Sequence, residues 1–268
     1  MKTRKIVASA NLKGGVGKST TTANAAFYAR EFLDFRVAVI DLDAQANSSR
    51  TLAPAWPKGT LVASELFAAE RPAGRLPMVT ASGIELVPGD KALRAVDSAV
   101  SSENVAARRE LYQTFRRNVR ALMEEREYDL VLIDTPTTAE HRYYAALVAS
   151  DFSITPALMD AFSMQGAGDL VQSLTNTKAQ FGNPKHKHLG ILPNLFNASS
   201  TLHKNNLEKL RTAGIKIAPV TLMNRIVVQG AIDAGKPVWK GDAEGRRSPK
   251  ATAEWKAALK FMFDEVFA

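Results

Sequence analysis

Cysteine is absent from this 268-residue sequence, and so are long apolar runs. Without cysteine, the chain can form no disulfide, thiolate zinc site or cysteine-ligated iron–sulfur cluster. No segment approaches the ~20 consecutive apolar residues that a membrane-spanning helix needs. The basic start, residues 1–5, leads into a short apolar segment that glycines soon follow, which is unlike a secretory signal. We therefore expect a cytoplasmic protein.

Positive charge is in excess, at a formal net charge of +8, and it is unevenly distributed. Residues 201–260 carry 12 Lys and Arg against 5 Asp and Glu, a net charge of +7. This asymmetry predicts that the C-terminal part meets a polyanion, either nucleic acid or an anionic membrane. The alternative is a solvated basic surface that serves solubility.

Hydrophobic periodicity predicts strands that alternate with helices in a single domain over residues 1–268. Several strands are apolar throughout, which is typical of a parallel sheet covered on both faces. We therefore predict a doubly wound α/β fold with a mostly parallel sheet, in which residues 51–82 form an insertion. Strands are predicted at Lys5–Ala10, Arg36–Asp41, Gly83–Pro88, Asp129–Asp134, Phe152–Pro156, His188–Asn194 and Lys216–Thr221. Helices are predicted at Lys18–Phe32, Asn104–Arg126, Ser163–Phe181, Thr201–Ala213 and Ser248–Phe267.

A glycine-rich segment joins the first predicted strand to the first predicted helix. It reads Asn11-Leu12-Lys13-Gly14-Gly15-Val16-Gly17-Lys18-Ser19-Thr20. Glycines let backbone N–H groups point at phosphates, and the helix N-terminus adds partial positive charge. We expect Lys18 to contact the β- and γ-phosphates of a nucleotide and the Ser19 hydroxyl to bind Mg²⁺. The alternative is an ordinary glycine turn before a helix.

The loop departs from the standard pattern, which needs glycine at position 12, where this chain has Leu12, and leaves position 13 unspecified, where this chain has a second lysine, Lys13. A second cation beside a triphosphate would stabilise its bound or reacting state. The loop is similar to that of the ParA/MinD family of ATPases. This resemblance implies a P-loop ATPase that binds ATP and Mg²⁺, hydrolyses ATP slowly and dimerises with ATP, Lys13 reaching the partner's phosphates. The implied nucleotide-binding residues are Lys13, Gly14, Gly15, Val16, Gly17, Lys18, Ser19 and Thr20, of which Lys13 and Lys18 are also catalytic.

An acidic segment at residues 37–47 also resembles the family. In the corresponding family motif, the second carboxylate, here Asp43, orients the attacking water. The resemblance places Asp41 near the metal ion. Family members usually carry Pro and Gly where this chain has Ala44 and Ala46, but both carboxylates are in place.

Two later segments continue the resemblance. Residues 128–136 are similar to the Walker B strand, whose terminal Asp134 would hold the water ligands of Mg²⁺. A lone Asp at a strand end is ordinarily a turn or a helix cap. Residues 161–166 follow the fifth strand, and Asn194 ends the sixth at a position that contributes to adenine recognition in relatives. The alternative for Asn194 is a buried amide satisfied by backbone.

Subgroups of the family can be separated on this sequence. The lack of cysteine excludes the nitrogenase-type iron proteins and the cluster carriers, and the length excludes arsenite-type ATPases with two phosphate loops. Thr177-Lys178-Ala179-Gln180 lacks the aspartate of a guanine-binding motif. The resemblance therefore favours a short ParA-like partition ATPase, with no N-terminal DNA-reading domain before Lys13, that segregates DNA or positions another cytoplasmic cargo.

A MinD-like membrane-cycling ATPase is the main alternative. Apolar residues at helical spacing near the C-terminus could be mistaken for a membrane anchor. They align with the last core helix of the family, so we expect core packing, no membrane-targeting tail after Ala268 and no membrane binding. A second alternative is an ATP-gated binding module that does not turn over. The residues concerned are Trp255, Leu259, Met262, Phe263, Val266 and Phe267.

ParA-like relatives bind double-stranded DNA without regard to sequence, through basic residues in the C-terminal half. The resemblance thus implies a nucleoid-associated protein that works with a ParB-like activator or cargo adaptor. Some of the basic residues must simply be solvated. The candidate DNA contacts are Lys204, Lys209, Arg211, Lys236, Lys240, Arg246, Arg247 and Lys250.

Overall fold

The computed structural model describes residues 3–159, 173, 177, 180, 181 and 183–268. All of segment 161–166 and most of the predicted helix Ser163–Phe181 lie outside these residues. Within them, the strands are β1 (Lys5–Ser9), β2 (Val37–Asp41), β3 (Met78–Val79), β4 (Glu85–Val87), β5 (Leu130–Asp134), β6 (Phe152–Leu158) and β7 (Lys187–Asn194). The helices are α1 (Lys18–Phe32), α2 (Asn47–Leu52), α3 (Leu93–Ser98), α4 (Val105–Glu125), α5 (His141–Ala149), α6 (Thr201–Thr212), α7 (Ile226–Asp233) and α8 (Pro249–Phe267).

The strands form one sheet in the order β3-β4-β2-β5-β1-β6-β7. Its pairs are parallel except for β3 with β4, which is antiparallel. The mostly parallel α/β fold is therefore confirmed. Because the strands are parallel, the loops that follow β1, β2, β5 and β7 all emerge at one edge of the sheet, where such folds bind ligands.

Helices cover both faces of the sheet. On β2, Val37 and Val39 belong to one apolar cluster, whereas Ala38 and Ile40 belong to another on the opposite face. The first cluster includes residues of α1 and α8, and the second includes residues of α4 and α5. Both faces of the central strands are buried, which explains why these strands are apolar at every position.

The last helix, α8, contributes to this core. Ser248 caps its N-terminus by accepting a hydrogen bond from the Ala251 N–H, and Pro249 occupies the first turn, where a missing N–H costs nothing. Five of its apolar residues are each at most 4% exposed: Trp255, Leu259, Met262, Phe263 and Val266. The predicted core packing of this helix is therefore confirmed.

None of the described helices has the length and apolar character needed to cross a membrane.

One predicted strand is wrong. Over Lys216–Thr221 the structure has only an isolated bridge between Ile217 and Ile191. The Ile191 N–H donates to the Lys216 carbonyl, and the Ala218 N–H donates to the Ile191 carbonyl. Pro219 follows and has no N–H to extend the ladder, so the pairing ends there.

Candidate nucleotide-binding site

The loop between β1 and α1 is folded around its glycines. Gly15 and Gly17 have φ angles of +71° and +92°, a region that side chains other than glycine rarely adopt. Asn11 ties the loop to its surroundings: its amide donates to the Pro156 carbonyl, and its Oδ1 accepts from the Lys13 N–H. Gly17 is the N-cap of α1 and has no side chain to cap it, so the first N–H groups of the helix remain available to an anion.

Lys18 is the first residue of α1 and is buried, with 6% of its surface exposed. Its Nζ donates to the Lys13 carbonyl over 3.0 Å. Burial lowers the pKa of Lys18, and the negative charges of Asp134 and Asp43 oppose that shift. A cation held inward beside a glycine loop is suited to the phosphates of a nucleotide. The Lys13 side chain, in contrast, is exposed.

Asp134 lies at the end of β5, level with Asp41 at the end of β2. Its two carboxylate oxygens are buried and have no hydrogen-bond partner among the residues that the structure describes. Burial raises the pKa of Asp134 to about 7, the charge of Asp41 adds to that shift, and Ser19 and Lys18 oppose it. A buried carboxylate beside a serine hydroxyl is a donor set that fits Mg²⁺. The residues present therefore fit the metal ion that the sequence implies, and Ser19 and Asp134 would hold it.

Asp41 uses its carboxylate differently. Its Oδ1 accepts from the Asp43 N–H over 3.0 Å, and its Oδ2 accepts from the Ser49 N–H over 2.9 Å and the Ser49 hydroxyl over 2.7 Å. Burial raises the pKa of Asp41, and these hydrogen bonds oppose the shift. Asp41 thus organises the loop between β2 and α2, and its role near the metal stays a prediction.

A cavity of about 780 Å³ opens beside the phosphate loop, which is large enough for a nucleotide. Its walls include residues 15–20, Asp43 and, after β5, Thr135 and Thr137. Asn194 at the end of β7 also lines it and donates from its amide to the Val16 carbonyl over 2.8 Å. That amide is therefore satisfied by backbone, and its contact with adenine stays a prediction.

Basic residues proposed for DNA fall into two groups in the structure. Lys204, Lys209 and Arg211 lie on α6, where Arg211 pairs with Glu208. The second group surrounds the turn at residues 236–250. Three members of that group have partners within the protein: Lys236 donates to the Asp242 carbonyl, and Lys240 pairs with Glu31. Arg246 pairs with Asp242 and Glu244. The other two, Arg247 and Lys250, are exposed.

Sequence reasoning missed several residues of the site. Thr135 and Thr137 could have been proposed, because they directly follow the predicted Walker B strand. Asn224 and Arg225, which come shortly after the wrongly predicted strand Lys216–Thr221, also line the cavity. Ser49 had no distinguishing signal, because a serine in a short polar helix is unremarkable in sequence.

Comparison with known proteins agrees with this geometry. A family model described as an AAA domain matches residues 4–188, more than half of the chain. Protein IncC from Escherichia coli is 34% identical over 267 residues, which cover 98% of this chain and 70% of the relative. The chromosome-partitioning ATPase Soj from Thermus thermophilus is 28% identical over 233 residues, covering 87% of this chain and 86% of the relative.

Solved structures share the fold. A McdA variant from Cyanothece in complex with ATP superposes with a TM-score of 0.79 at 18% identity, covering 98% of both chains. Cobyrinic acid a,c-diamide synthase from Mycobacterium smegmatis, with ADP and magnesium bound, gives a TM-score of 0.72 at 24% identity over 86% of this chain and 93% of the other. The chain belongs to the ParA/MinD family of partition ATPases. The family model and the relatives IncC and Soj identify it, together with the phosphate loop and the acidic strand ends.

Proposed function

We propose that the chain is a ParA-like partition ATPase that dimerises in its ATP-bound state and hydrolyses ATP slowly. ATP and Mg²⁺ are its nucleotide and metal ion. One observation carries the proposal: a buried lysine, Lys18, and a buried carboxylate, Asp134, lie together beside a phosphate loop. Within the described part of the chain, the Asp134 oxygens have no hydrogen-bond partner. The two side chains are close enough that each shifts the pKa of the other. The similarity to Soj, a chromosome-partitioning ATPase, supports the cellular role.

Each residue of the site has a distinct task in this proposal. Lys18 binds the β- and γ-phosphates, and Ser19 and Asp134 hold the metal ion or its waters. When bound, Mg²⁺ neutralises charge on the phosphates. Asp43 lines the cavity and accepts a hydrogen bond from the attacking water, which orients that water towards the γ-phosphate.

Dimerisation and DNA binding are further parts of the proposal. The side chain of Lys13 is exposed, which supports a contact with the nucleotide of a second copy of the chain. The net charge of +7 over residues 201–260 supports sequence-independent binding to double-stranded DNA on the nucleoid. A ParB-like activator or a cargo adaptor would stimulate hydrolysis, and the cargo is DNA or another cytoplasmic body.

Membrane cycling has less support. The apolar face of α8 is buried against the rest of the core, where Trp255 and Met262 are 2% and 1% exposed. A helix that is already packed in this way has no apolar face left to insert into a bilayer. Sedimentation with anionic liposomes checks this point: ATP-dependent binding to liposomes in place of DNA would favour the membrane function.

The proposed activity is tested by phosphate release from Mg-ATP, with and without random-sequence duplex DNA. We expect slow release by the parental chain and none above background by Lys18→Ala, which loses the cation that faces the phosphates. Tight ATP binding without any phosphate release, whether or not DNA is present, would instead identify an ATP-gated binding module.

A further inference from the structure

Arg142, the second residue of α5, is a charged side chain with only 6% of its surface exposed. A buried guanidinium must find partners for its N–H groups, because an unpaired buried charge is strongly destabilising. Its Nε donates to Asp97 Oδ2 over 2.6 Å, and its Nη1 donates to the backbone carbonyl of Leu42 over 2.9 Å. Glu140 lies near the same guanidinium, 3.6 Å from Nη2.

The contact with Leu42 acts on a particular peptide group. The Leu42 carbonyl and the Asp43 N–H belong to the same planar peptide unit. Arg142 holds the oxygen of that unit, and Asp41 Oδ1 accepts from its N–H over 3.0 Å. The peptide that precedes the Asp43 side chain is therefore fixed at both ends.

Arg142 also follows a loop that faces the nucleotide cavity. Residues 135–140 connect β5 to α5, and Thr135 and Thr137 of this loop line the cavity. Movement of the loop would move α5 and, through Arg142, the peptide before Asp43. The guanidinium thus joins the nucleotide-facing loop to the loop that carries the water-orienting carboxylate.

We propose that Arg142 is a positioning residue for ATP hydrolysis, which aims the Asp43 carboxylate by holding the Leu42–Asp43 peptide. This inference rests on the proposed function, in which Asp43 orients the attacking water. Arg142 touches neither nucleotide nor water in this role. Its effect is on the rate of the chemical step and not on the affinity for ATP.

The competing explanation is that Arg142 only joins α5 to α3 through its ion pair with Asp97. The two contacts can be separated by substitution. A lysine at 142 keeps a positive charge for Asp97 but lacks the planar fork, whose separate nitrogens bond Asp97 and the Leu42 carbonyl, so we expect it to keep the charge pair and lose the bond to Leu42. Asp97→Asn removes the charge of the pair and keeps an oxygen that accepts from the Arg142 guanidinium.

Arg126 offers a matched control at the other end of the sheet. Its guanidinium forms a similar two-bond pair with Glu85, over 3.1 and 3.0 Å, beside the start of β4. The carboxyl edge of the sheet, where the cavity lies, is at the opposite end of these strands. Arg126→Lys should lower stability without changing the hydrolysis rate.

The experiment measures three quantities for each full-length variant: single-turnover hydrolysis at saturating Mg-ATP with duplex DNA, the Kd for ATP, and Tm. We expect Arg142→Lys to slow hydrolysis roughly ten- to hundredfold, with the Kd for ATP and ATP-driven dimerisation within about twofold of the parent. Asp97→Asn and Arg126→Lys should lower Tm while hydrolysis stays within about threefold of the parent. The double variant Asp97→Asn with Arg142→Met leaves no unpaired buried charge and should be as slow as Arg142→Lys.

Several outcomes would overturn the inference. Rates that fall in proportion to Tm across all variants would reduce Arg142 to a structural ion pair, as would a parental rate in Arg142→Lys. A loss of ATP affinity or dimerisation that accounts for the slower rate would do the same. If the parent lacks turnover, or if Asp43→Ala keeps the parental rate, the proposed function itself fails; if Asp43→Ala is slow and Arg142→Lys is not, only this inference fails.

Discussion

Lys18 Nζ donates to the backbone carbonyl of Lys13, 3.0 Å away, so the two cations of the phosphate loop are linked through the main chain. Lys18 is buried and Lys13 is exposed. In the proposed function, the buried ammonium binds phosphates in its own site and the exposed one reaches another molecule. The loop would then separate nucleotide binding from nucleotide-dependent assembly.

Lys13→Ala should block ATP-dependent dimerisation while the Kd for ATP changes by less than about threefold. The reason is that this substitution removes an exposed cation and leaves the backbone contact to Lys18 in place. Light scattering with Mg-ATP measures the dimer, and titration with a labelled nucleotide measures the Kd. Lys187→Ala, at an exposed lysine near the start of β7, is the control and should dimerise normally. A dimer of normal stability in Lys13→Ala would remove this lysine from its proposed role.

Asp43→Ala should reduce hydrolysis by at least about a hundredfold and leave ATP binding and dimerisation intact. An orienting carboxylate acts on the attacking water and not on the ground-state phosphates, so the ATP-bound dimer should accumulate. Phosphate release and light scattering on the same sample test both halves of the prediction. Turnover at the parental rate with DNA present would show that another group orients the water.

Asp134→Asn should stabilise the nucleotide-free protein, and more so at pH 8 than at pH 5. The pKa of Asp134 is raised to about 7 in the folded chain, chiefly by burial, against about 3.9 in an unfolded chain. The folded state therefore binds more protons between these values, and its stability falls as pH rises through that window. The asparagine amide does not ionise, so its burial carries no cost that grows with pH. We expect Asp134→Asn to raise the free energy of unfolding by on the order of a few kcal/mol at pH 8.

Thermal unfolding with a chelator at both pH values measures this gain. Addition of Mg-ATP is the control, because the bound cation stabilises the ionised carboxylate and should stabilise the parent more than Asp134→Asn. An equal difference in Tm at pH 5 and pH 8 would show that the Asp134 carboxyl does not titrate in this range.

Arg247→Glu combined with Lys250→Glu should weaken binding to random duplexes roughly tenfold and reduce the slope of log affinity against log salt by about 2. These two side chains are exposed, whereas Arg246 is engaged with Asp242 and holds the turn. Arg246 is therefore a poor choice for this test, since its replacement would disturb the loop. Filter binding at several salt concentrations gives the slope.

The matched control is Lys185→Glu with Lys187→Glu, which changes the net charge by the same amount at exposed positions before and at the start of β7. We expect it to affect DNA binding less, and neither pair to alter ATP-driven dimerisation. Equal weakening by both pairs would indicate binding through the overall charge of the protein. Equal DNA affinity with and without ATP would contradict the nucleotide switch.

The sequence was sufficient for the central sheet and the phosphate loop because both depend on local chemistry. The helix predicted at Lys18–Phe32 is found with the same bounds, and the strands that end at Asp41 and Asp134 are found within one residue. Each is specified by its own residues: a buried strand must be apolar on both faces, and the loop must have glycine where φ is positive.

Features that depend on contacts between distant segments could not be predicted in this way. The edge strand Met78–Val79 is only two residues long and has no sequence pattern of its own. The contact between Arg142 and the Leu42 carbonyl joins residues 100 positions apart. In sequence, Arg142 is one of many arginines, and only the packing of α5 reveals that it is buried.

Gly17 and Asn194 restrict how this protein can be redesigned. A Cβ on Gly17 would clash with Asn194 Nδ2, and the φ of +92° excludes most side chains there in any case. The Asn194 amide also donates to the Val16 carbonyl. Replacing Asn194 would therefore loosen the phosphate loop. On the prediction that Asn194 also contacts the base, altered base selectivity and altered triphosphate affinity should appear together in any library built at position 194.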